Sequence, residues 1–83
     1  MRPTLRQMQY FVEVADRGAF GAAADALAVS QPSLSKQLAT MEDELGAPLF
    51  ERTSRRVTLT PLGRVLLDKA RVVLQHAREF RAV

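Results

Sequence analysis

The sequence predicts a mainly α-helical domain that carries one short β-hairpin. Four segments repeat apolar residues at helical spacing, and residues that favour helix ends flank them. Between the third and fourth segments, the pattern changes to two short alternating runs, 49–52 and 57–60, which a polar turn joins. We therefore expect three helices, a hairpin and then one long helix.

The first two helices are predicted from their ends. Thr4 and Gln7 have the spacing of a capping box, and Gly18 lies where a glycine commonly ends a helix. A second, short helix covers about Phe20 to Leu27. The apolar stripe expected to be buried on the first helix consists of Leu5, Met8, Phe11, Val12 and Ala15.

The third helix follows a tight turn and is expected to begin at Ser30 and end at Gly46. Two short helices joined in this way form a helix-turn-helix. The apolar face of the third helix consists of Leu34, Leu38, Met41 and Leu45. The opposite face consists of Pro32, Ser33, Lys36, Ala39 and Thr40. Such short side chains allow close approach to a DNA groove, and the start of a helix favours phosphate.

The hairpin comes directly after the third helix, which makes the predicted fold a winged helix-turn-helix. Arg52, Arg55 and Arg56 lie within five residues at its turn. This grouping favours contact with DNA phosphates or the minor groove. Polar turns also commonly carry charge, and Arg52 could instead pair with Glu51 or with an acid of the core.

The last helix is expected to start with Thr60 as its cap and Pro61 at its first position. Its apolar residues step by four and three, as in a short coiled-coil seam. This predicted seam consists of Leu66, Ala70, Val73, Ala77 and Phe80. We therefore divide the chain into a winged helix-turn-helix, 1–60, and a linker and dimerisation helix, 61–83. We also expect the chain to be part of a longer protein.

Composition excludes several classes of site. The 83 residues include no cysteine, so neither a disulfide framework nor a thiolate metal site is available. The net charge is +3, and it divides into −2 over residues 1–46 and +5 over residues 47–83. A lone histidine, His76, supports neither a catalytic triad nor a zinc site, and the acidic run 42–44 is expected to be a solvated face.

Two function classes remain compatible with this composition and these motifs. The leading interpretation is a sequence-specific DNA-binding domain in the cytoplasm, without a cofactor and without a membrane partner. A protein-interaction module is the alternative, because the last helix is apolar; salt-sensitive binding to duplex DNA would separate the two. An enzyme is disfavoured, since the sequence contains no acid–base pair, nucleophile or metal cluster.

Three motifs lie at characteristic distances along the chain. They are AAAxxLxVSQPSLSKQL over 22–38, LGxxLFER over 45–52 and LTPxG over 59–63. Together they closely resemble the DNA-binding domain of LysR-type transcriptional regulators, and the resemblance covers nearly the whole chain.

The resemblance implies a longer bacterial regulator that binds double-stranded DNA at an interrupted inverted repeat. It implies a homodimer through the last helix, a tetramer of the full-length protein, and a C-terminal effector domain, absent here, that senses a small-molecule inducer. The residues that match recognition-helix positions are Gln31, Pro32, Ser33, Ser35 and Lys36. The residues that match the wing are Arg52, Arg55 and Arg56.

Individual roles within this set are expected from side-chain chemistry. Gln31 can bond adenine through its amide in the major groove, whereas Ser33 and Ser35 suit bases and phosphates equally. The chain departs from the family at Ala19 and Gly21, where members often carry serine and threonine. The second helix is therefore expected to lack two hydroxyl groups that can meet phosphate.

Overall fold

The computed structural model describes residues 3–53 and 56–82. Within these ranges the chain forms four helices and one two-stranded antiparallel sheet, as predicted. The elements in chain order are α1 (Leu5–Arg17), α2 (Phe20–Leu27), α3 (Gln31–Leu45), β1 (Phe50–Thr53), β2 (Arg56–Leu59) and α4 (Pro61–Ala82).

Side-chain hydroxyl groups cap the N-termini of three helices. Thr4, Ser30 and Thr60 each accept a hydrogen bond from the backbone N–H three residues further on, at 3.0 to 3.2 Å. The capping box at Thr4 is complete, because its own N–H donates to the Gln7 side chain at 3.0 Å. In contrast, α2 follows Ala19, which makes no capping hydrogen bond through its side chain.

The turn between α2 and α3 depends on an unusual alanine. Ala28 has a φ of 57°, in the left-handed region that glycine usually occupies. Val29 N–H donates to the Ala24 carbonyl at 3.1 Å, which closes the end of α2. This conformation costs an alanine roughly 1–2 kcal/mol, and the packing of the two helices must offset that cost.

The core lies between the four helices and the base of the hairpin. Its buried apolar residues are Phe11, Val14, Ala23, Ala24, Leu34, Leu38, Met41, Leu49, Phe50 and Ala70. The Phe11 and Phe50 rings meet edge to face, with centroids 5.4 Å apart. Burial of Leu34, Leu38 and Met41, with Leu45 partly buried against the core, confirms the predicted apolar face of α3.

The predicted stripe of α1 is partly wrong. Leu5 is 49% exposed, whereas Val14 is fully buried and Gln7 is nearly so. Gln7 tolerates burial because its amide both completes the cap of α1 and donates to the Gln37 side chain at 3.3 Å. Burial on α1 is therefore centred on Gln7, Phe11 and Val14, with the predicted residues Met8, Val12 and Ala15 at its margin.

Both predicted strands are displaced by one residue. Phe50 pairs with Leu59, and Thr53 pairs with Arg56. Leu49 and Thr60 lie just outside the ladder, although the Thr60 N–H still donates to the Leu49 carbonyl at 3.0 Å. The Leu49 N–H bonds Glu42, and the Thr60 hydroxyl caps α4.

The start of α4 lies against the base of the wing. A Cβ on the buried Gly63 would collide with the Leu49 carbonyl oxygen, so only glycine permits this approach. Further along, Ala70 and Leu74 are buried, and Arg71 Nη1 donates to Asp16 Oδ2 of α1 at 3.3 Å. The helix therefore packs onto the domain as far as Leu74.

We expect Leu34→Ala to destabilise the domain by about 2–5 kcal/mol, because the side chain is fully buried and its removal leaves a cavity. Chemical denaturation followed by circular dichroism measures the free energy of unfolding. The exposed Leu5→Ala is the matched control and should change it by roughly 0.5 kcal/mol or less. Equal effects of the two changes would contradict this description of the core.

Candidate nucleic-acid interface

The outward face of α3 is exposed over its first three turns. Burial of Leu34, Leu38 and Met41 against the domain turns the opposite side toward solvent. The exposed residues on that side are Pro32, Ser33, Lys36, Ala39 and Thr40. No acidic side chain interrupts this surface before the exposed Asp43.

The start of α3 presents two polar side chains with different surroundings. Gln31 is exposed, and its Oε1 lies 3.5 Å from where a Cβ on Gly21 would be, so its amide lies alongside α2. Ser33 is exposed, and its Oγ lies 2.9 Å from Ser30 Oγ, within hydrogen-bond distance. Ser35 is half-buried, and Pro32 and Lys36 are both exposed.

The wing places its arginines in different environments. Arg56, at the start of β2, is exposed. Arg52 Nη2 donates to Glu42 Oε1 at 3.4 Å, and its guanidinium lies 5.0 Å from the centroid of the Phe20 ring. Arg52 therefore pairs with an acid at the edge of the core, one of the alternatives that the sequence left open. Arg55 lies outside the described residues.

Glu42 is the residue that sequence reasoning missed. The acidic run 42–44 was expected to be a solvated face, which is wrong for Glu42, because its side chain is only 15% exposed. Its Oε2 accepts from Leu49 N–H at 2.7 Å. The available signal was its spacing of four residues from the buried Leu38, which places it at the margin of the apolar face.

The predicted seam of α4 is divided between the core and the surface. Ala70 is only 5% exposed, and Leu66 and Ala77 are half-buried. Val73 is 40% exposed and Phe80 is 84% exposed. The large apolar residues exposed on this helix, here called the α4 stripe, are Leu62, Val65, Val72, Val73 and Phe80.

Other kinds of site find little support in the described ranges 3–53 and 56–82. They contain no group of three or more His, Cys, Asp or Glu side chains placed to hold a metal ion. No helix there is long and apolar enough to cross a membrane. An open groove of about 670 Å³ between α1 and α4 is lined by the Asp16–Arg71 pair and His76, on other elements than α3.

Comparison with known proteins matches this geometry to one family. Residues 5–64 match the family model of the bacterial regulatory helix-turn-helix protein, lysR family. The chain is 51% identical over 70 residues to the HTH-type transcriptional regulator TfdT of Cupriavidus pinatubonensis. That alignment covers 84% of this chain and 31% of TfdT, so the chain spans about a third of that relative's length.

Solved structures with a similar fold belong to proteins of the same family. Oxidised OxyR of Corynebacterium glutamicum matches with a TM-score of 0.94 and 45% identity, over 99% of this chain and 26% of that one. The CbnR DBD–DNA complex matches with a TM-score of 0.91 and 39% identity, over 95% of this chain and 91% of that one.

The family match spans most of the chain, and the fold is that of a domain solved in complex with DNA. The chain therefore belongs to the LysR family of bacterial helix-turn-helix regulatory proteins, as the helix-turn-helix DNA-binding domain of a transcriptional regulator.

Proposed function

We propose that this domain recognises a specific duplex sequence by laying the first half of α3 in the major groove. The exposed α3 face supports this, because its side chains other than Lys36 are short and no acid interrupts it before Asp43. The major groove, about 12 Å wide, admits a helix whose side chains do not hold it away from the base edges.

Within this arrangement the residues at the start of α3 have separate roles. Gln31 bonds adenine N6 and N7 through its amide, and Lys36 contacts guanine or phosphate. Ser33 and Ser35 bond bases or backbone, and Pro32 offers an apolar contact between them. The exposure of Gln31, Ser33 and Lys36 supports these assignments.

The wing supplies contacts that do not depend on sequence. Exposed Arg56 is proposed to meet phosphate or the minor groove, and Arg55 is assigned the same role from its place in the turn. Backbone contacts of this kind set the position of a protein on the duplex, so that α3 enters the groove in one register.

A second copy of the chain is proposed to cover the α4 stripe. An antiparallel pair centred on Val73 places Phe80 of one copy against Leu66 of the other, because each is seven residues from the centre. Beside Leu66 lies an apolar pocket of about 100 Å³, which Met8, Met41 and Val73 also line. The dimer would present two recognition helices roughly 34 Å apart, suited to an inverted repeat.

The remaining proposals come from the family. The chain covers about a third of TfdT, which supports a longer protein. From the resemblance to the family, we propose that this protein has an effector domain that binds a small-molecule inducer, a tetrameric assembly and a cytoplasmic location. We propose no catalytic activity and no cofactor for this domain, since its relatives are transcriptional regulators.

We expect the wild-type chain to enrich one motif with two half-sites from a random duplex library. Gln31→Ala should lose preference at one base pair per half-site, because a bidentate amide contact discriminates by roughly 1–3 kcal/mol. Binding to single-base variants of the enriched duplex measures this preference. The exposed Gln9→Ala on α1 is the matched control. An unchanged preference profile for Gln31→Ala would remove its base-reading role, and a library without enrichment would overturn the proposed function.

Arg56→Ala should weaken binding to specific and random duplexes alike. The slope of log affinity against log salt should flatten by roughly one unit for each phosphate that the variant no longer neutralises, and by more when Arg55 is also changed to Ala. Fluorescence anisotropy across a salt series measures the slope. Arg81→Ala, in the last turn of α4, removes the same charge away from the wing and should leave the slope unchanged. An unaltered slope for Arg56→Ala would place the wing away from DNA.

The double change Val73→Glu and Phe80→Glu should convert the dimer to a monomer, because carboxylates in an apolar interface are costly to bury. Both side chains are exposed in the single chain, so the variant should stay folded as a monomer, which circular dichroism checks. Light scattering measures the mass. Gln75→Glu, exposed on the same helix outside the stripe, is the control. A double variant that stays dimeric would show that the α4 stripe is not the interface.

A further inference from the structure

Glu42 joins the recognition helix to the wing through its side chain. Its Oε2 accepts hydrogen bonds from the N–H groups of Leu49 and Phe50, at 2.7 and 3.4 Å. Its Oε1 accepts from Arg52 Nη2 at 3.4 Å. A single carboxylate on α3 thus bonds three groups at the entrance to and within β1.

The backbone of the same residue holds the end of α3. The Glu42 carbonyl accepts from Gly46 N–H at 2.8 Å and from Ala47 N–H at 3.2 Å. Main chain and side chain of Glu42 together therefore determine how the chain leaves the recognition helix and enters the wing.

Arg52 is engaged on two sides. Its guanidinium pairs with Glu42 and lies over the Phe20 ring, at a distance where a cation and an aromatic face attract each other. The Phe20 ring in turn lies 6.0 Å from the Phe50 ring, centroid to centroid. Arg52 thereby connects the first residue of α2, the last turn of α3 and the first strand of the wing.

The wing requires such a connection. An isolated two-stranded hairpin is marginal in water, and this one has strands of only four residues. Within the described residues, the wing's other hydrogen bond to the helical part of the domain is from Val57 N–H to the Gly18 carbonyl at 3.4 Å, whereas the bond from Leu49 N–H to Glu42 is 2.7 Å. The direction in which the wing projects therefore depends strongly on the bonds at its base.

We infer that Glu42 and Arg52 are positioning residues, which hold the wing at the angle where Arg56 reaches the DNA backbone while α3 lies in the groove. Arg52 then acts through Glu42 and Phe20 instead of on the DNA. The inference rests on the proposed function, because it assigns these residues a role in duplex binding.

The direction in which one substitution changes the affinity for duplex DNA tests the inference. Glu42→Gln keeps the shape and one oxygen acceptor for Leu49 N–H, but removes the negative charge that holds Arg52. Loss of a carboxylate beside DNA should by itself tighten binding or leave it unchanged, since repulsion of phosphate decreases. A misplaced wing should instead weaken binding roughly three- to tenfold, the equivalent of one net hydrogen bond. Glu51→Gln makes the same charge change on an exposed wing residue and is the matched control.

A double-mutant cycle separates positioning from direct contact. With the duplex that the wild-type chain enriches as the probe, Arg52→Gln should weaken binding about as much as Glu42→Gln. The double variant should be no weaker than the weaker single variant, because both changes break the same contact. Multiplied effects would mean that Arg52 touches DNA by itself, which would overturn the inference.

A second cycle with Arg56 separates positioning from stability. All variants are compared below their unfolding temperatures, so that each is folded. Arg56→Ala should weaken binding less in the Glu42→Gln background than in the wild type, because the wing is already displaced. Equal effects of Arg56→Ala in the two backgrounds would overturn the inference but not the proposed function. A Glu42→Gln variant that binds as tightly as wild type would have the same consequence. A wild-type chain that enriches no duplex would instead overturn the proposed function, and the inference with it.

Discussion

The structure depends on the packing of Phe50 between the rings of Phe11 and Phe20. These edge-to-face contacts tie the first strand of the hairpin to α1 and α2, while α3 packs beside them through Leu34 and Leu38. Burial of large apolar rings is the main stabilising term in a domain of this size, which has a small core. The two candidate DNA-contacting elements, α3 and the wing, are thus fixed to one aromatic cluster.

The candidate functional surfaces are the faces of α3 and α4 that do not pack into the core. The α3 face is exposed because its opposite side is committed to the core, and the α4 stripe is exposed because only part of α4 packs on α1. Ala70 shows the division on α4, since it belongs to the predicted seam but is buried within the single chain, whereas Phe80 projects into solvent. The proposed contacts with DNA and with a second copy therefore lie on separate faces.

Interactions close in sequence were predictable. Hydroxyl caps at Thr4, Ser30 and Thr60 bond groups three residues away, so spacing alone located the starts of three helices. The strands were displaced by one residue, and only part of the reason is local. Thr60 caps α4, as its spacing predicted, whereas Leu49 bonds Glu42 on another element, a contact that leaves no periodic pattern in the sequence.

The sequence by itself determined the order and type of the elements, the apolar face of α3 and membership of the family, because these follow from periodicity, caps and motif spacing. The tertiary structure alone decided which of several chemically similar residues are engaged. Arg52 and Arg56 belong to the same arginine group, yet Arg52 pairs with Glu42 and Arg56 is exposed. The physical reason is that a charged side chain takes the partner that folding brings near it, and that partner is ten residues away on another element.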